Sequence, residues 1–242
     1  RSNQLAAFQT STTEATNGTC FQWHYQYMTG GVNQPPGSDW KDWNAPTGEF
    51  ARYFAQDAVS RGMVPVATYY ELVPSLPNDY ADPLNLSALL DTAFMNAYFD
   101  NFKLLLQKLG QGAPGQRVVI HHEPDQWGYI HNSVWAGSNN PVNVPVAVAS
   151  SGHPDVAGYA NNAVGFSQAL LHLRDLYNPN AAMAMHISHW VGNDKLHCNC
   201  TQPAIDAEIV KYNTFYNALM VPNKWDLFTG DPDDRDADYH FL

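Results

Sequence analysis

The chain has 242 residues, of which 45% are hydrophobic and only 14% charged. That is enough apolar content to bury a sizeable core, and it excludes bulk disorder. With 12 Lys and Arg against 23 Asp and Glu the formal net charge is −11, so the basic footprint of a nucleic-acid binder is missing and an anionic membrane surface is disfavoured. No apolar run reaches the roughly 18 residues of a membrane span.

Residues 1–19 are polar and rich in Thr, Ser and Asn, and read as an N-terminal arm. From residue 20 onward strand and helix patterns alternate. The aromatic run 20–28, bounded by Thr29-Gly30-Gly31, predicts a first strand. Phe50, Phe54, Ala58 and Val59 predict a helix over 48–61, and 62–72 a second strand. Leu86, Leu90, Phe94, Ala97, Phe102, Leu105 and Leu109 mark one long amphipathic helix, stopped by Gly110. Residues 117–125 form a third strand whose apolar start implies burial on both faces. Pro124 and Gly128 then open a long loop region, rich in Asn, Pro, Val and Ser over 131–154. Tyr159 to Tyr177 is the next helix, 181–190 a fourth strand, 205–219 a helix and 224–233 a fifth strand running into an acidic loop.

Five strand–helix alternations predict an α/β fold with a parallel sheet. The lack of a glycine-rich nucleotide fingerprint after the first strand lowers the case for a nucleotide-binding sheet. At about 48 residues per unit the spacing points to a (β/α)8 TIM-type barrel of which about five βα units are visible, over 20–242 and short at the C-terminus. A complete five-stranded open sheet is the other arrangement these elements permit.

Polar and aromatic residues gather at the predicted C-terminal strand ends, where both barrels and open sheets keep their sites. The sharpest segment is His121-His122-Glu123-Pro124-Asp125-Gln126-Trp127. In a regular strand His121, Glu123 and Asp125 share one face and His122 the other. Two carboxyls beside an aromatic ring suit acid/base work on a sugar, with burial raising the pKa of the proton donor. The five aspartates of 231–238 supply Asp231 as a second carboxyl. They also suit a calcium ion, although the spacing is not that of an EF-hand. No other cofactor is expected. Seven Trp and 13 Tyr provide flat faces for sugar rings; Trp127 and Trp190 are the inner candidates, Trp40 and Trp43 the outer. His24, His122, His186 and Asp231 form the set that a metal-dependent hydrolase would need.

Three sequons, at Asn17, Asn85 and Asn199, and three cysteines, Cys20, Cys198 and Cys200, favour a secreted or extracellular setting, with Cys20 paired to Cys198 or Cys200 or, as the other reading, three free buried thiols.

At HHEPDQWGYI the chain resembles bacterial secreted (β/α)8 proteins of the glycoside-hydrolase type, in which a strand-end Glu-Pro pair carries the acid/base carboxyl. Here Glu123-Pro124 matches that pair, with His122 where Asn is usual and on the third strand instead of the fourth. The resemblance implies hydrolysis of a glycosidic bond in a polysaccharide or oligosaccharide. Glu123 is then the proton donor, Asp125 its orienting partner and Asp231 the second carboxyl. His24, Tyr70, His121 and His186 would hold substrate hydroxyls, and Trp127 and Trp190 would be stacking platforms. A non-catalytic carbohydrate-binding or surface protein on the same scaffold is the alternative outside enzymology.

Overall fold

The computed structural model describes residues 21–78, 85–135, 139–188, 191, 201–220, 222 and 224–230. Five strands form one sheet in the order β1 (Trp23–Thr29), β2 (Val64–Tyr70), β3 (Val118–His122), β4 (Ala181–Ile187) and β5 (Leu227–Gly230). Every neighbouring pair is parallel. The strands are connected by α1 (Glu49–Ser60), α2 (Ser87–Leu90), α3 (Thr92–Gly112), α4 (Pro124–Trp135), α5 (Ala163–Tyr177) and α6 (Gln202–Leu219). Strands that pair in chain order through crossovers of one hand place their helices on one side of the sheet. The result is an α/β fold compatible with a partial barrel.

Side-chain alternation divides the sheet into two faces. Met28, Tyr69, Ile120, His122, Met183 and Met185 face the helices and are buried with them. The register places Tyr25, Tyr27, Val66, Thr68, His121, Ala184, His186 and Thr229 on the opposite face. The helices supply their share through apolar stripes: Phe50, Phe54 and Ala58 on α1, and Phe94, Phe102, Leu105 and Leu109 on α3 are all buried.

Two differences from the sequence reading have local causes. The long helix expected over 86–109 is broken at Asp91. This residue is extended, with φ −82° and ψ 114°, and its carboxylate accepts the Phe94 N–H at 2.9 Å, which makes it the N-cap of α3. The expected third strand stops at His122, and Pro124 opens a helix. Proline suits a first helical position because its missing N–H would be unpaired there anyway. The region 131–154 is correspondingly more regular than expected. After α4 it holds 3-10 turns at Pro141–Asn143, Ala149–Ser151 and Pro154–Val156, and Asn161 Oδ1 accepts the N–H groups of Val148 and Ser150 at 3.0 and 2.9 Å.

Helices α1 and α3 come into close backbone contact at Gly112. A Cβ there would lie 2.3 Å from the carbonyl oxygen of Arg52 and 2.8 Å from Cβ of Ala55. Backbone cannot yield as a side-chain tip can. Gly112→Ala, which by helix propensity alone would gain up to about 1 kcal/mol, is therefore expected to lower stability by about 1–3 kcal/mol, read as a lower urea midpoint at unchanged slope.

Candidate functional site

At the C-terminal ends of the strands, the face opposite the helices carries a connected row of polar and aromatic side chains. Tyr25 and Tyr27 on β1 meet edge to face at 5.5 Å, and Tyr27 meets Tyr70 at the end of β2 in the same manner at 6.1 Å. The Tyr70 hydroxyl donates to Asp125 Oδ2 at 2.6 Å. Thr68 Oγ1 lies 3.2 Å from His121 Nδ1, His121 Nε2 lies 3.0 Å from His186 Nδ1, and Thr229 Oγ1 lies 3.4 Å from that same Nδ1. Tyr27, Tyr70, Asp125 and His121 are half-buried, whereas Thr68 and His186 are buried. Asp125 Oδ1 accepts no hydrogen bond among the described residues.

Four of the sequence-predicted residues therefore meet here: Tyr70, His121, Asp125 and His186. Others lie elsewhere. His24 is buried on the helix-packed face, edge-on to Phe54 at 5.1 Å and 3.9 Å from Asp57. Burial lowers its pKa, with the Asp57 charge opposing. Trp127 is wholly buried between His122, Phe166 and Trp225, so its faces contact protein where a sugar was expected. Trp40 is likewise buried, its indole N–H donating to Asn101 Oδ1 at 2.9 Å; Trp43 remains exposed. Trp190, Asp231, the acidic loop and all three cysteines lie outside the described residues, as do the sequons at Asn17 and Asn199. Asn85 is 3% exposed and offers no open amide for a glycan. The proposed metal set does not converge: His24 and His122 face the helices and His186 the opposite side. Among the described residues no group of three or more His, Cys, Asp or Glu is disposed to hold a metal.

Glu123 departs most from expectation. The regular alternation that would align it with His121 and Asp125 ends one residue earlier. Glu123 has φ +43°, the left-handed region that a non-glycine residue occupies at a cost. Its carboxyl turns toward the helix layer and is wholly buried. Oε1 accepts the N–H groups of Glu71 and Leu72 at 2.9 and 3.1 Å and the Tyr98 hydroxyl at 3.1 Å. Its own N–H donates to the Tyr69 carbonyl at 2.7 Å.

The hydrogen directions behind it are determined. The Trp127 indole can only donate, and it points at His122 Nδ1 at 3.1 Å. Burial, with the neighbouring His121 adding to it, holds His122 well below the ordinary histidine pKa, so the ring is neutral and its hydrogen sits on Nε2. That nitrogen therefore donates to the Tyr98 oxygen at 2.9 Å, leaving the Tyr98 hydrogen for Glu123.

The same device recurs along the sheet. Glu71, which follows β2, accepts the Gly31 N–H beyond β1 at 2.7 Å. Ser188, which follows β4, donates to the Pro124 carbonyl beyond β3 at 3.0 Å. Each side chain just past a strand thus fastens the backbone just past the preceding one. Glu71 is wholly buried, its Oε1 has no hydrogen-bond partner among the described residues, and burial raises its carboxyl pKa strongly, with the Asp39 charge adding to this.

Sequence reasoning passed over Tyr27, Thr68 and Thr229, whose face follows from strand parity once the strands are located. It also passed over Tyr98, although that residue stands four positions from both Phe94 and Phe102 on the apolar stripe of α3. A hydroxyl there needs a buried partner, and this was the available signal.

Burial pushes the Glu123 carboxyl up to about 8 against 4.5 ordinarily, its hydrogen bonds opposing. The unfolded chain loses this proton near the ordinary value and the folded protein holds it up to about pH 8. The contribution is fully present below the ordinary value and is lost as pH rises through this window, at about 1.4 kcal/mol per pH unit. Glu123→Gln, which copies the neutral acid, should flatten that decline in a series of denaturant titrations across pH; an unchanged slope would show that Glu123 is ionised in the folded protein. No family model, curated protein or solved structure matches the chain, so the roles of these residues follow from their own geometry.

Proposed function

We propose that the protein hydrolyses glycosidic bonds of a polysaccharide or oligosaccharide, on a (β/α)8-type scaffold, with the sugar lying along the polar and aromatic face at the strand ends. The observation that carries this reading is the 2.6 Å bond from the Tyr70 hydroxyl to Asp125, made beside the tyrosine steps of β1. Tyrosine rings offer flat bodies to the C–H faces of a sugar and polar tips to its hydroxyls. Asp125 is half-buried, and its Oδ1 remains to meet a ligand.

In this reading Asp125 gives a proton through Oδ1 to the leaving glycosidic oxygen, a water molecule bonds to the anomeric carbon as that C–O bond breaks, and the proton the water releases restores the carboxyl. In between, negative charge develops on the carboxyl, and the Tyr70 hydroxyl, already bound to Oδ2, stabilises it most when the proton has left. The position of Asp125 in the first turn of α4 adds the partial positive charge of a helix N-terminus. His121 and His186 form the floor of the row, with Thr68 and Thr229 fixing their orientation. The negative net charge and low Lys and Arg content support a substrate that is not an anionic polymer.

A panel of polysaccharides assayed for new reducing ends tests the proposal. Asp125→Asn should lower turnover about 10²- to 10⁴-fold, the usual worth of a positioned general acid, while calorimetry shows sugar affinity retained. Full turnover by the variant would sink the assignment. Sugar binding by the wild type with no cleavage of any glycan would identify a non-catalytic carbohydrate-binding protein.

A further inference from the structure

The two segments that carry Tyr70 and Asp125 are tied together behind the face they present. Glu71 and Leu72 follow Tyr70 directly, and Glu123 precedes Asp125 by two residues. Glu123 Oε1 accepts both N–H groups of the first segment, and the Glu123 N–H returns a bond to the Tyr69 carbonyl on the other side of Tyr70. Together with the bond between Tyr70 and Asp125 this closes a ring: the tyrosine, the peptide after it, the Glu123 carboxyl, Pro124, the aspartate, and back to the tyrosine hydroxyl. The carboxyl is aimed by the Trp127–His122–Tyr98 chain, and Ser188 holds the Pro124 carbonyl from the side of β4.

We propose that Glu123 is the positioning residue of this site, holding the Tyr70 hydroxyl against Asp125 through the backbone of Glu71 and Leu72 without itself meeting the sugar. The consequence for the reaction rests on the reading of Tyr70 and Asp125 as the reacting pair. The wholly buried carboxyl, turned to the helix layer, is badly placed to reach a ligand. Its three donors meet at Oε1, with the Leu72 N–H also 3.3 Å from Oε2, and a glutamine side chain keeps the Oε1 acceptor on which all three bonds fall.

The test uses Glu123→Gln, Glu123→Ala, Tyr70→Phe and the Glu123→Ala/Tyr70→Phe double variant, all in the full chain. Steady-state kinetics is combined with amide exchange at Glu71 and Leu72 and with the NMR resonances of the Tyr70 ring. Glu123→Gln should keep amide protection, the Tyr70 resonances and wild-type kcat. Glu123→Ala should lose the protection, shift the ring resonances and lower kcat about 10- to 100-fold, the scale of a small misplacement at a reacting centre, with KM little changed. Adding Tyr70→Phe to it should lower kcat no further. Loss of turnover in folded Glu123→Gln to the level of Asp125→Asn would make Glu123 a reacting carboxyl and overturn the proposal; so would additive losses in the double variant, or unchanged exchange in Glu123→Ala. If the alanine variant does not fold, the glutamine variant decides alone. If the wild type cleaves no saccharide, the hydrolase reading fails, while the positioning role is still judged by amide exchange and the Tyr70 resonances.

Discussion

The strand-end architecture depends on one buried carboxyl accepting hydrogen bonds from the backbone of the neighbouring strand's continuation. Beyond the last ladder bond, parallel strands have nothing in common, and their N–H groups need new partners. Glu123 provides them for Glu71 and Leu72, as Glu71 does for Gly31. A buried carboxyl is costly to maintain as an ion. Here burial pushes the carboxyl up to about 8 and three donors meet it, and the left-handed backbone at Glu123 is held by bonds on both sides of it. The fold thereby gains a fixed geometry at the level where the ladder itself ends.

This arrangement sends to different layers two carboxyls that strand parity would have placed side by side. The group set back among the helices holds the frame, and the one two residues later reaches the face with Tyr70, His121 and His186. Their separation comes from the change from strand to helix between His122 and Pro124. Alternation with period two would have put both carboxyls on the same face, whereas the turn at Glu123 sends them to different layers.

Much of the scaffold was legible from the chain alone. Apolar periodicity located the helices, and aromatic and β-branched runs bounded by glycine or proline located the strands. Sheet order was less accessible, because order is settled by which crossovers pack together and not by any one segment. Within the site, Tyr70, His121, Asp125 and His186 were readable as polar residues at strand ends. Glu123 was misjudged because its parity assumed a strand one residue longer. Trp127 was misjudged because proline and glycine suggested a loop, which would have left that ring outside; in the helix that Pro124 starts, it points into the core. His24 shows the converse limit: its neighbours on the strand do not reveal that its face is covered by Phe54.

The junction at Pro124 also bears on how the chain tolerates change in length. With a single residue between strand and helix there is no slack to absorb an insertion. One extra residue before Pro124 would turn everything that follows by about 100° around the α4 axis, carrying Asp125 out of reach of its tyrosine while leaving the helix itself intact. Diversification of such a scaffold would therefore have to come from the far end of α4 and the turns beyond it, where added residues displace nothing that the bond between Tyr70 and Asp125 depends on.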